Sequence, residues 1–87
     1  MVIKKNPEIV YSILDSEVCL FNPNKGLYLN LNATGSIIWN LLDKFSTFEE
    51  IANELKEIFE VENSNYLEEL KIFIEESQNL EILKIDE

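Results

Sequence analysis

The stretch Gly26-Leu27-Tyr28-Leu29-Asn30-Leu31-Asn32-Ala33-Thr34-Gly35-Ser36-Ile37-Ile38-Trp39-Asn40-Leu41-Leu42 changes its hydrophobic period partway along. In its first part Leu27, Leu29 and Leu31 fall on one face, with Tyr28 and Asn30 on the other. That is the two-residue period of a strand with one buried face. Beyond Asn32-Ala33-Thr34-Gly35, which leads into Ser36, the spacing of Ile37, Ile38, Leu41 and Leu42 is that of a helical stripe. A strand here passes directly into a helix, and this point divides the chain into a β-rich first third and a helical remainder.

Toward the N-terminus, Asn22-Pro23-Asn24-Lys25-Gly26 is the strongest turn signal in the chain, with proline to set φ and glycine to supply a positive one. Before it, residues 17–21 read as a strand. The pair Asp15-Ser16 reads as a short turn, and the β-branched and aromatic residues 9–14 as another strand. Three successive strands with tight turns make an antiparallel meander. Val2-Ile3 can add a few sheet residues.

Toward the C-terminus, Ser46-Thr47 closes the first helix and opens a second, in which Thr47 and Glu50 have the spacing of a capping box. Phe48, Ile51, Ala52, Leu55, Ile58 and Phe59 then recur every three or four residues. The polar break at residues 62–65 precedes a third helix with Tyr66, Leu67, Leu70, Phe73 and Ile74 as its apolar positions and Ser77 next in line. Residues 80–85 nearly alternate and can pair as a short last strand. So small a sheet cannot bury its apolar face without the helices. The expected fold class is α+β, winged-helix-turn-helix-like: a three-stranded antiparallel sheet followed by three helices. Residues 1–87 make one domain by length.

Composition narrows the function. The chain is 46% hydrophobic and 28% charged, as a globular domain is, and has no apolar run of membrane-spanning length. Nothing resembles a secretory signal, so the cytoplasm is the default location. Its basic residues are seven lysines, scattered from Lys4 to Lys84, and its formal net charge is −10. A nucleic-acid-binding module needs a basic face to neutralise phosphates, so no nucleic acid and no membrane is expected as partner; a neutral or basic partner fits.

Catalytic chemistry is sparse. The chain has no histidine, and its single cysteine, Cys19, lies between Val18 and Leu20 as a buried structural thiol would. The paired acids Glu49-Glu50, Glu68-Glu69 and Glu75-Glu76 are helix neighbours that point about 100° apart and read as solvated faces. Two glycines leave no phosphate loop. No catalytic residue, metal site or cofactor is expected. Trp39, beside the helical stripe, reads as a partly buried core aromatic. Tyr28 either rests on a neighbouring strand or meets a ligand. Ile72, nearly opposite the third helix's stripe, is either an ordinary exposed isoleucine or an extension of a partner surface.

The opening stretch resembles the PqqD-like family of precursor-peptide recognition elements. The shared pattern is a G-x-Y strand, then L-N-x-T-G, two residues, and I-W-x-L-L. A capped helix like residues 47–55 and a terminal Leu-rich segment, here residues 80–83, follow it. The likeness runs from about Ile9 onward. One departure is Asn79, where the family commonly has glycine; asparagine tolerates a left-handed helix stop.

The resemblance implies a non-catalytic domain that binds the leader of a ribosomally made precursor as an added antiparallel strand. The leader would lie in a cleft between the third strand and the third helix. A separate modifying enzyme, either a lasso-pathway leader peptidase and cyclase or a radical-SAM enzyme, would then act on it. The peptide-binding residues expected on this basis are Leu27, Tyr28, Leu29, Asn30 and Leu31 along the sheet edge, with Tyr66, Leu70 and Phe73 as the groove flank of helix three. Leu67 and Ile74 take the other flank. The acidic surface would favour a leader carrying lysines. Two alternatives stand beside this reading: a winged-helix transcription regulator, opposed by the charge, and a generic protein–protein adaptor using the same edge.

Overall fold

The computed structural model describes residues 2–59 and 65–86. Its elements run β1 (Val2–Lys5), β2 (Val10–Leu14), β3 (Glu17–Asn22), β4 (Leu27–Asn30), α1 (Ala33–Leu41), α2 (Phe48–Phe59), α3 (Tyr66–Asn79) and β5 (Leu83–Asp86). This is the α+β order expected: a three-stranded antiparallel sheet, three helices and a short C-terminal strand. Of the expected polar break, residues 62–64 lie outside the described residues.

The sheet order is β2-β3-β4. Asp15 and Ser16 join the first pair with φ of 53° and 70°. Positive φ at both central residues matches the right-handed twist of the strands they connect. The next turn closes through Gly26, at φ 66°, whose amide donates to the Asn22 carbonyl. Strand β3 alternates as a half-buried strand must: Val18, Leu20 and Asn22 are buried, whereas Glu17, Cys19 and Phe21 face outward. Cys19 is half-buried on this outer face, opposite Ser12 and Asn30, and not in the core as its apolar neighbours suggested.

Val2-Ile3 does enter a sheet, but a separate one. Strand β1 pairs antiparallel with β5, with Ile3 opposite Ile85 and Lys5 opposite Leu83. The Ile3 amide also donates to the Ser46 carbonyl at 2.7 Å. The three helices and both sheets contribute to one core, in which Ile3, Val18, Leu20, Ile38, Trp39, Ile51, Leu55, Leu70, Ile74, Ile82 and Leu83 are buried. Trp39 is wholly enclosed. Tyr11 meets it edge-on at 6.0 Å, and the Lys5 ammonium lies 4.2 Å from its ring centre while bonding Asp43 at 2.7 Å.

Helix ends follow side-chain chemistry. Helix α1 begins three residues before Ser36, at Ala33, because the Asn32 carboxamide oxygen accepts the Gly35 amide at 2.7 Å. The box at α2 forms as spaced: the Glu50 amide donates to the Thr47 hydroxyl oxygen, and the Thr47 amide to the Glu50 carboxylate, both at 3.2 Å. At the end of α3 the left-handed residue is Glu81, at φ 59°, and not Asn79. Ile82 donates to the Ser77 carbonyl and Glu81 to that of Gln78, the paired bonds of a Schellman stop. Two buried asparagines hold this corner: Asn6 donates to the Glu81 carbonyl at 2.8 Å and Asn22 to that of Leu80 at 3.0 Å.

Candidate functional site

Strand β4 pairs with β3 on one side, and its other side carries no strand among the described residues. A sheet edge presents unpaired amides and carbonyls to whatever lies beside it. Beside this edge runs α3, and between the two is a cavity of about 210 Å³. Leu29, Asn30 and Leu31 form its strand wall, and Glu69, Ile72, Phe73, Glu76 and Ser77 its helix wall; Gly35 and Ile38 contribute buried surface.

The L-N-x-T-G pattern builds the corner where strand becomes helix. Asn32 caps α1. A Cβ on Gly35 would stand 3.2 Å from the Asn32 Oδ1, so glycine leaves room for the capping oxygen, and the Phe73 ring lies at ordinary contact distance, 3.5 Å, from the same point. Ser36 completes the corner. Leu31 donates to the Val18 carbonyl, but the Val18 amide donates instead to the Ser36 hydroxyl oxygen at 3.0 Å. The hydroxyl thus stands in for a ladder partner where β4 leaves the sheet.

Of the residues expected at the site, Leu29, Asn30, Leu31 and Phe73 line this cavity together. Tyr28 points to the opposite face, 81% exposed, with its ring 4.5 Å from that of Phe21, so it rests on the neighbouring strand. Leu27 is exposed opposite Asn22, outside the cavity. Leu70 is wholly buried in the core, and Tyr66 is half-buried against it, outside the cavity wall. The helix wall is therefore rotated from the flank expected: Glu69, Ile72, Phe73 and Glu76 share one face at helical spacing. Exposed Ile72, out of register with the core stripe, was the available signal in the sequence.

The cleft's charge is one-sided. Glu69 and Glu76 lie on its rim, no lysine lines it, and neither glutamate takes part in an ion pair among the described residues.

The family model for coenzyme PQQ synthesis protein D (PqqD) matches residues 17–83. Two solved structures are similar over nearly the whole chain. TbiB1 in complex with the TbiA(beta) leader peptide is 30% identical, with a TM-score of 0.84, over 97% of this chain and 98% of that one. Lasso peptide synthetase B1 complexed with the leader peptide is 23% identical, with a TM-score of 0.76, over 95% and 98%, and attests the fold. No curated protein matches. With the family model spanning strand β3 to the start of β5, and the motif it shares shaping the corner of the cleft, this chain belongs to the PqqD family.

Proposed function

We propose that this protein binds the leader segment of a ribosomally synthesised precursor peptide without acting on it chemically, and presents it to a separate modifying enzyme. The observation that carries the reading is the free edge of β4 facing the cavity walled by α3. An extended peptide added there gains main-chain hydrogen bonds from the edge, and its alternate side chains enter the cleft. Strand β2 is also an edge, and a second cavity of about 240 Å³ is lined by Val10, Tyr11 and Ser12 with residues of β3 and Tyr28. That one is walled by strands alone, whereas at β4 the helix α3 stands across from the edge and gives an added strand a second wall. That TbiB1 was solved with a leader peptide supports the same use here.

A separate enzyme follows from the side-chain inventory: the chain has no histidine, and Cys19 lies on the outer sheet face away from the cleft. The partner is a leader peptidase and cyclase or a radical-SAM enzyme, and it meets the loaded domain in the cytoplasm. It must dock where the peptide does not. The outer face of the three-stranded sheet suits it, since Val10, Leu14 and Tyr28 are exposed there and Phe21 is half-exposed.

The test uses synthetic peptides covering the short reading frames beside the gene. Hydrogen exchange should slow at outward-facing amides of residues 27–31 when one of them binds, while α2 around Ala52 and Leu55 barely changes. Mass spectrometry should find the peptide intact after incubation with the pure protein. Protection confined to α1 and α2, or cleavage by the pure protein, refutes the proposal.

A further inference from the structure

The cleft has a chemical pattern that specifies more than an extended peptide. Among the described residues it is lined by two carboxylates, Glu69 and Glu76, and by no cation. Between them on the same face of α3 lie Ile72, exposed, and Phe73, half-buried. The order along the wall is acid, apolar, acid. Among the described residues neither acid is paired with a lysine, so both are available to a cation brought by a ligand.

Distances along the two elements fix the spacing of a ligand. Seven residues of α-helix separate the acids by about 10.5 Å along the axis. In an added strand, side chains on one face recur every ~6.7 Å. Cations one step apart, at k and k+2, would leave no inward side chain between them to meet Ile72 and Phe73. Cations two steps apart, at k and k+4, span ~13 Å. The flexible lysine stem closes that small difference, and residue k+2 falls opposite the apolar pair.

We infer that the cleft selects leaders with the pattern basic–x–apolar–x–basic, the cations paired to Glu69 and Glu76 and the central residue on Ile72 and Phe73. This rests on the leader-binding reading above. The pattern is the same in either direction, so it does not depend on which way the peptide runs.

The experiment is a selection of random twelve-residue peptides, displayed with their encoding RNA, on the intact protein, followed by hydrogen exchange with the best binders. The pattern should be enriched among binders that protect residues 27–31. The double variant E69Q/E76Q should weaken them on the order of fivefold, the effect of two exposed ion pairs. The control E68Q/E75Q removes the same net charge elsewhere on α3 and should change affinity little. Binders that protect residues 27–31 but lack the pattern, or respond equally to both double variants, overturn this inference and leave strand addition standing. Selection yielding no binder that protects those residues overturns both.

Discussion

Ser36 occupies a position where a small change has a large expected effect. Its hydroxyl is the acceptor for the buried Val18 amide, at 3.0 Å, at the point where the strand ladder ends. Ser36→Ala leaves that amide without an acceptor, and an unsatisfied buried amide costs about 1–3 kcal/mol. Urea denaturation should register the loss as a lower midpoint with unchanged slope. Glu81 invites the opposite change. At φ 59° it occupies a position that glycine adopts without steric cost. Glu81→Gly also breaks the 2.9 Å ion pair with Lys25, whose members are largely exposed and whose loss costs a few tenths of a kcal/mol at most. Relief of the left-handed backbone is the larger effect, and a net gain of about 0.5 kcal/mol is expected in the same denaturation experiment.

Among the elements, α2 carries an acid-sensitive start. The Thr47 hydroxyl, then the Ser46 amide, hold the Glu50 carboxyl below its ordinary pKa. A depressed carboxyl stabilises the fold above its unfolded pKa, and that contribution is lost as pH falls through the folded value. Thermal melts from neutral pH down into the acid range should show this loss in the parent and not in Glu50→Gln. Thr47→Ala should lower stability by about 1 kcal/mol at neutral pH. The β2–β3 hairpin can be strengthened, since both turn residues have positive φ. Asp15→Asn with Ser16→Gly should raise the melting temperature without moving the peptide cleft. Elements with a strong period of their own were legible in the sequence, as were the Thr47–Glu50 box and the three-strand meander. The start of α1 was not, because Gly35 reads as a breaker until the Asn32 cap is seen. Nor was the partner of β1, which lies some eighty residues away. For α3, periodicity identifies the buried stripe but not its rotation against a sheet edge. That is why Leu70 was expected in the groove, while Glu69 and Glu76, as charged residues, read as solvent-facing.

For the whole molecule, charge decides which partners can approach. The net charge is −10, and three of the seven lysines, Lys4, Lys5 and Lys25, already face carboxylates. The other four, Lys44, Lys56, Lys71 and Lys84, stand after α1, on α2, on α3 and on β5, and seven lysines against seventeen acids leave the surface acidic on balance. Duplex DNA should therefore not bind appreciably even at about 50 mM salt, where phosphate contacts are strongest. A filter-binding assay with sub-micromolar retention would count against the leader-binding assignment. The pairing of β1 with β5 bears on how the domain can be wired into something larger. Val2 stands opposite Asp86, so these two residues lie side by side, with about 5 Å between their α-carbons. A host protein whose surface loop is opened at one peptide bond need barely widen to receive residues 2–86 as an insert. Carried in this way, the guest should melt as it does alone, and its edge strand should remain open to a passing peptide.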